Sequence, residues 1–122
     1  CKPDSGVDVL MGIGGAPEGV IAAAALRCVE GDFQGKLVYR NEADRERSTK
    51  MGIEDLERIY GIHDLAQGHV MFSATGVTHG TYLDGVQFMS GGAKTHSVVM
   101  RSESGTIRFI EAEHHFEEQP EY

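Results

Sequence analysis

The amino-acid sequence predicts one α/β domain, in which helices are layered on a mixed β-sheet. A short apolar run at residues 7–13 ends in glycines and leads into a helix-start signal. A second strand-like run at residues 36–39 precedes a charged helical stretch. After residue 69, short runs rich in β-branched and aromatic residues dominate the chain. The order β, α, β, α and then consecutive strands is typical of the α/β class, and it leaves the strand order within the sheet open.

The first strand and the first helix are predicted from local signals. Residues 7–13 are expected to form an internal strand that ends at a turn of residues 14–16. A helix over residues 17–29 follows, because Pro17 suits the first helical position and Glu18 suits the first turn. The helix is apolar nearly all round and contains four consecutive alanines, which predicts that it packs closely between layers.

The later elements are predicted from composition and period. Residues 36–39 are expected to form a strand, residues 41–50 a solvated helical face, and residues 53–59 a helix that ends before Gly61. Four further strands are predicted at residues 69–75, 85–89, 95–101 and 106–114, with a hairpin turn at 102–105 and a flexible tail at 116–122. Apolar strand residues are expected in the core, among them Met71, Phe72, Phe88 and Met89.

The composition of the chain limits its size class and its partners. With 122 residues, 40% of them hydrophobic, it suits a single domain, residues 1–122, with a modest core. The 11 basic and 19 acidic residues give a net charge of −8, which opposes binding to nucleic acid and to anionic membranes. No apolar run approaches the roughly 20 residues that span a bilayer, and no signal peptide is recognisable. We therefore expect a cytoplasmic protein.

The two cysteines and the first residue give further expectations. Cys1 and Cys28 could form at most one disulfide, and Cys28 lies inside the predicted alanine-rich helix. A reduced, cytoplasmic setting fits this better than a disulfide framework. The chain opens with Cys1 and runs almost at once into a strand-like pattern, which favours a segment of a longer protein.

Residues 12–19 (GIGGAPEG) are the segment with the clearest potential for chemistry. A glycine-rich turn that leads into a helix leaves unpaired backbone N–H groups and no Cβ atoms to block a phosphate. A dinucleotide site is the main competitor, but Pro17 replaces the third glycine of that pattern and no acidic residue suits the ribose. An ordinary tight turn is the other reading, and spacing alone does not separate it from an anion site.

Glu18 helps to distinguish an anion site from an ordinary tight turn. A carboxylate next to a phosphate repels it unless a cation lies between them, and Mg²⁺ or Mn²⁺ commonly binds both groups. Glu18 is therefore a candidate metal ligand. The simpler alternative is that its charge complements the helix N-terminus.

The six histidines and one Ser/His pair do not form recognisable sites. His114 and His115 are adjacent on a predicted strand and so point to opposite faces, and His63 and His69 lack the spacing of a helical zinc pair. Roles in hydrogen bonding or at the surface are expected for them instead. The pair formed by His96 and Ser97 has no visible third group and no nucleophile elbow, so it is interpreted as part of a core strand.

Several segments together resemble one protein family. Residues 3–8 (PDSGVD), 12–20 (GIGGAPEGV), 74–78 (ATGVT) and 95–102 (THSVVMRS) resemble the class II fructose-1,6-bisphosphatases, in the same order and over essentially the whole chain. The resemblance implies a layered α/β fold of the inositol monophosphatase-like sugar-phosphatase type. It also implies hydrolysis of the 1-phosphate of fructose 1,6-bisphosphate with Mn²⁺ or Mg²⁺, and some relatives act on sedoheptulose 1,7-bisphosphate.

The resemblance assigns only two site residues to this chain. The family's matching glutamate is a metal ligand, which implies that role for Glu18, and the matching glycine contacts substrate through its backbone, which implies that role for Gly15. The other metal carboxylates and the residues that activate water belong to family segments upstream of Cys1. The chain would therefore be the C-terminal part of the enzyme, with no catalytic residue of its own and inactive without the N-terminal half. A homo-oligomer is also expected.

One position departs from the family pattern, and one alternative function stays open. His79 stands where an acidic residue is expected, which places any role of the surrounding loop in doubt. The alternative is a noncatalytic domain that binds a phosphometabolite or serves assembly.

Overall fold

The computed structural model describes residues 5–116 and contains three helices and six strands within that range. In chain order they are α1 (Ala16–Cys28), β1 (Gln34–Lys36), α2 (Glu42–Lys50), β2 (Ile59–Gly61), α3 (Ile62–Leu65), β3 (Met71–Thr75), β4 (Gln87–Met89), β5 (Gly92–Arg101) and β6 (Thr106–His115). The predicted α/β class is confirmed. None of the helices in this part of the chain is long and apolar enough to cross a membrane.

The larger sheet is organised around β5. Strand β6 pairs with β5 along its whole length, from Gly92↔His115 to Arg101↔Thr106, as the predicted hairpin requires. Strands β3 and β4 pair with the two halves of its other edge. A smaller sheet joins β1 to β2. Every pairing among the described strands is antiparallel, so the parallel pair that a mixed sheet needs does not occur in residues 5–116.

The core lies between α1 and one face of this sheet. Val98 and Met100 of β5 pack with Cys28 of α1, and all three side chains are buried. A second cluster joins Ala23 of α1 to Ile62 and Ala66 at α3. Burying an apolar side chain of the size of Val or Met contributes about 1.5–3 kcal/mol. These contacts fix α1, and with it the loop that precedes α1, on the sheet.

Helix α1 begins at Ala16, one residue before the predicted start at Pro17, and its side chains are buried only where α3 and the sheet cover it. Gly15 is the N-cap, and Pro17 and Glu18 lie in the first turn. Ala23 is 0% exposed, because it faces α3, whereas Ile21 is 56% exposed. The sheet covers the side of the helix that carries Cys28 and α3 covers the side that carries Ala23, while the side with Ile21 faces solvent.

Helix α1 covers only one face of the larger sheet, and this explains the errors in the predicted core. Phe72 packs against the cluster of Val98 and Met100. Met71 and Phe88 are exposed, because they pair with Arg101 and Ala93 and so share the sheet face opposite α1. Met89, at the end of its short strand, is also largely exposed.

Three predicted elements are wrong or misplaced. The strand predicted at residues 36–39 is β1, which ends at Lys36, and residues 37–39 have no regular structure. Residues 7–13 form no strand, since none of the described strands pairs with them, and their apolar side chains face solvent. Residues 53–59 form no helix: Gly52 at φ 92° ends α2, and the Asp55 carboxylate then accepts a hydrogen bond from Glu57 N–H in a turn. The predicted tail at 116–122 lies outside the described residues except for Phe116, whose N–H donates to Gly91 O.

Candidate functional site

The glycine-rich loop lies at the N-terminus of α1 and is open to solvent. Residues 10–18 are all exposed, and a Cβ atom added at Gly12 or Gly14 would meet no atom within 4 Å. The N-cap Gly15 has an extended backbone (φ −70°, ψ 151°) and offers no side-chain cap. Its carbonyl accepts the first helical hydrogen bond, from Gly19 N–H at 3.1 Å. The N–H groups of Ala16 and Glu18 therefore have no carbonyl partner within the helix and can donate to an external anion, whereas Pro17 has no N–H.

Glu18 lies against this loop. A Cβ atom added at Gly15 would collide with the Glu18 carboxylate, so glycine is needed for the carboxylate to fold back over the N-cap. Within residues 5–116 the carboxylate forms no ion pair, and no side-chain hydrogen bond occupies it. The structure therefore brings Gly15 and Glu18 together, as their assignment to one site requires, with a free negative charge beside free N–H donors.

The described residues do not complete a metal site. No group of three or more His, Cys, Asp or Glu side chains within residues 5–116 could hold a metal ion. Glu18 offers one carboxylate, and divalent cations need several oxygen ligands. A metal at Glu18 would depend on ligands from outside this part of the chain.

His79 lies in a second, separate cluster that sequence reasoning did not find. Its Nδ1 lies 3.3 Å from the Asp84 carboxylate, and the Asp84 N–H donates to His96 Nδ1 at 3.0 Å. The loop is closed tightly, since a Cβ atom at Gly85 would lie 2.5 Å from His79 N. Position 79, where an acidic residue is expected, thus carries a histidine, and an acidic side chain, Asp84, lies across the loop from it. No sequence spacing signals this contact.

The two histidines at the end of β6 lie on opposite faces of the sheet. His114 Nε2 lies 3.0 Å from Thr95 Oγ1 on the neighbouring strand, and His115 pairs with Gly92 on the other face. Ser97 bonds to Thr75 at 2.8 Å rather than to His96, which rules out a Ser/His couple in this geometry. Cys28 is a free, buried cysteine, and burial raises the pKa of its thiol.

Comparison with known proteins agrees with the family resemblance of the sequence over nearly the whole chain. Residues 1–114 match the family described as "Bacterial fructose-1,6-bisphosphatase, glpX-encoded". Three cyanobacterial relatives carry the name "D-fructose 1,6-bisphosphatase class 2/sedoheptulose 1,7-bisphosphatase". The protein from Crocosphaera subtropica is 46% identical over 129 residues, which cover 95% of this chain and 37% of the relative. That from Microcystis aeruginosa is 44% identical with the same coverage, and that from Synechococcus elongatus is 45% identical over 89% of this chain and 35% of the relative.

Two facts follow from these comparisons. The chain spans about 37% of the length of the curated relatives that it matches. Since the family match covers residues 1–114 of 122, the chain belongs to the bacterial, glpX-encoded fructose-1,6-bisphosphatase family.

Proposed function

We propose that this chain is the C-terminal part of a metal-dependent phosphatase that hydrolyses fructose 1,6-bisphosphate to fructose 6-phosphate and phosphate. The observation that carries the proposal is the pairing of free N–H donors at the start of α1 with the free carboxylate of Glu18. The family membership supports the same activity. The relatives' names also include sedoheptulose 1,7-bisphosphatase, and hydrolysis of sedoheptulose 1,7-bisphosphate is the second activity to assay.

The proposed role of the loop is to hold a phosphate group. The N–H groups of the first turn of α1 donate hydrogen bonds to phosphate oxygens, and the helix dipole adds a partial positive charge of about 0.5 at this end. Gly15 contributes its backbone, because any side chain at this position would displace the Glu18 carboxylate. This chain therefore binds and orients the anion.

The proposed role of Glu18 is to bind Mn²⁺ or Mg²⁺ together with carboxylates from the rest of the enzyme. A divalent cation neutralises phosphate charge and lowers the pKa of water when it is bound at such a site. A single carboxylate is too few ligands for such an ion, so the N-terminal half is the expected partner in the site. We also propose a cytoplasmic homo-oligomer. The free thiol of Cys28 supports the cytoplasmic setting, and the homo-oligomer rests on the family resemblance alone.

The test separates a shared active site from a self-contained binding domain. Phosphate release from fructose 1,6-bisphosphate is assayed with Mn²⁺ for the chain alone, for the N-terminal half alone and for the two together. We expect turnover only when both parts are present. Turnover by the chain alone would contradict the shared site. Tight substrate binding by the chain, with no turnover in the combined sample, would favour the noncatalytic phosphometabolite-binding alternative.

A further inference from the structure

We propose that a cavity at the C-terminal end of α1 binds a small oxyanionic metabolite, a phosphate ester or a carboxylate, with Arg27 as its anchor. The cavity has a volume of about 620 Å³ and lies between the end of α1, α3 and the turn that joins β5 to β6. Known small-molecule pockets measure about 300–1,000 Å³. Arg27, His63, His69 and Ser102 are among the residues that line it.

Arg27 is the reason to expect an anion in this cavity. Its Nη2 donates to Gly68 O at 3.2 Å, but its Nε atom is buried and has no acceptor. No carboxylate within residues 5–116 forms an ion pair with it. The carbonyl groups at the end of α1 offset part of its charge, but they leave the Nε donor unused. A partly desolvated guanidinium without a counter-charge costs free energy, and an oxyanion in the cavity would offset that cost through the Nη groups, since the buried Nε is out of a ligand's reach.

The carboxylates that line the cavity leave the charge of Arg27 available. Glu103 is ion-paired with Arg101 in the β5–β6 turn. Glu30 follows α1 in the left-handed conformation, at φ 57°, and forms no ion pair with Arg27. The free carboxylate of Glu30 opposes an anion, so binding depends on Arg27 and on the neutral donors around it to outweigh that repulsion.

Those neutral donors are Ser102 and the two histidines. Ser102 Oγ accepts a hydrogen bond from Val70 N–H at 2.8 Å, so the hydroxyl proton of Ser102 is available to an acceptor. His63 and His69 are both exposed at the cavity, where an imidazole N–H can donate to a ligand oxygen. A guanidinium with further N–H and O–H donors complements an oxyanion, because charge-assisted hydrogen bonds are the stronger ones.

The site is separate from the loop at Gly15 and Glu18. Arg27 lies nine positions after Glu18 in α1, and at about 1.5 Å per residue this is a distance of about 13.5 Å along the helix axis. The two sites lie at opposite ends of one helix that packs on the sheet. Occupancy of the cavity is therefore testable independently of phosphatase activity.

The first experiment titrates the full chain, labelled with ¹³C-histidine, with inorganic phosphate and separately with succinate, at constant pH and ionic strength. We expect saturable shifts of the imidazole signals of His63 and His69, assigned with His63→Gln and His69→Gln, and none of the other histidines. A response to phosphate, to succinate or to both supports the site and identifies which oxyanion it prefers. No response to either, or equal shifts of all six histidines, would overturn it.

The second experiment removes the anchor. Arg27→Gln is expected to weaken the binding of the effective anion by about tenfold or more, since it removes a charge-assisted interaction. Arg108→Gln is the matched control, because it removes the same charge from an exposed arginine of β6 that does not line the cavity. Equal weakening by both variants would show that the overall charge of the chain, not a contact with Arg27, causes the effect. It would overturn the proposal. If Arg27→Gln does not fold, exposed His69→Gln replaces it, and unchanged affinity in that variant would likewise overturn the proposal.

Discussion

Residues 7–13 and strand β5 both carry large apolar side chains, but only β5 buries them. Val98 of β5 is 0% exposed, whereas Leu10 is 92% exposed. The strand is hydrogen-bonded along both edges, by β6 on one side and by β3 and β4 on the other, and α1 covers one of its faces. Residues 7–13 pair with none of the described strands. An apolar pattern thus identifies a segment that gains from burial, but its neighbours decide whether it becomes a strand.

The candidate site lies next to the exposed segment of residues 7–13, not in the sheet. Gly15 and Glu18 directly follow the exposed segment, while the buried residues of β5 form only the scaffold. The relatives are nearly three times as long as the part matched here, since that part is 37% of their length. In the proposed function, the rest of the enzyme covers the exposed segment and completes the site.

The largest expected effect is on turnover and comes from the candidate site. In the complete enzyme Glu18→Gln keeps the size of the side chain but removes its charge, so kcat is expected to fall by about 100-fold or more, with weaker activation by Mn²⁺. Glu42→Gln is the matched control, because Glu42 is an acidic residue in the first turn of α2. It should leave turnover unchanged. Both variants are compared with wild type across a Mn²⁺ titration and by thermal unfolding.

The alternative reading of Glu18 gives a different pattern. If Glu18 only complements the helix N-terminus, the variant would turn over normally and lose about 0.3–1 kcal/mol of stability. That result would remove Glu18 from the site and leave only the backbone of the loop as a phosphate contact.

The second prediction concerns the scaffold. Met100→Ala is expected to lower the free energy of unfolding by about 2–5 kcal/mol, because Met100 is buried beneath α1 and its truncation leaves a cavity. Met71→Ala makes the same change on the adjacent strand at a side chain that is 70% exposed, and should cost no more than about 0.5 kcal/mol. Urea unfolding of the two variants measures the difference. Equal losses would show that the open face of the sheet is also covered.

Local signals were sufficient for part of the fold. Pro17 and Glu18 predict the start of α1 to within one residue, because a helix start depends on its own first turn. The hairpin of β5 and β6 was found for the same reason, since its turn at residues 102–105 ends in Gly105 at φ 59°. The predicted strand at residues 7–13 shows the limit of local signals. A strand needs hydrogen-bonding partners from other segments, and a local apolar pattern does not reveal them.

Only some of the candidate functional residues could likewise be predicted from the sequence. Gly15 and Glu18 were identified because they are close in sequence and belong to a recognisable segment. Asp84 and the Arg27 cavity were missed, because they depend on contacts between distant segments, such as Arg27 with Gly68. An unpaired, partly buried arginine becomes visible only when its surroundings are known.

The third prediction tests how closely α1 packs at one face. Ala23→Leu is expected to cost about 1–3 kcal/mol, because Ala23 is fully buried against the cluster of Ile62 and Ala66 and has no room for a larger side chain. Ala22→Leu, one residue earlier on the exposed side, should change stability by less than about 0.5 kcal/mol. Thermal unfolding of both variants is the measurement. A large loss for Ala22→Leu would mean that both sides of the helix are packed.

The smallest expected effect concerns an exposed ion pair between β5 and β6. The Lys94 ammonium lies 2.9 Å from the Glu111 carboxylate. Its hydrogen bond and its charge lower the pKa of Glu111, and the same pair raises the pKa of Lys94. Because the folded pKa of Glu111 lies below its unfolded value, the contribution of Glu111 to stability is present above the unfolded pKa and is lost as pH falls through the folded pKa. For Lys94 the sign is opposite, so its contribution is present below its unfolded pKa and is lost as pH rises through the raised one.

The Lys94 pair therefore supports the sheet between these two titrations, and only weakly, because solvent and salt screen exposed pairs. NMR titration of the Glu111 carboxyl should show its pKa returning towards the ordinary value in Lys94→Met. Lys50→Met, which removes an exposed lysine from α2, should leave that pKa unchanged. Raising the salt concentration to about 1 M should shrink the difference between wild type and Lys94→Met, because the Debye length falls to about 3 Å. An unchanged Glu111 pKa in Lys94→Met would show that the Lys94–Glu111 pair contributes nothing to the pairing of β5 and β6.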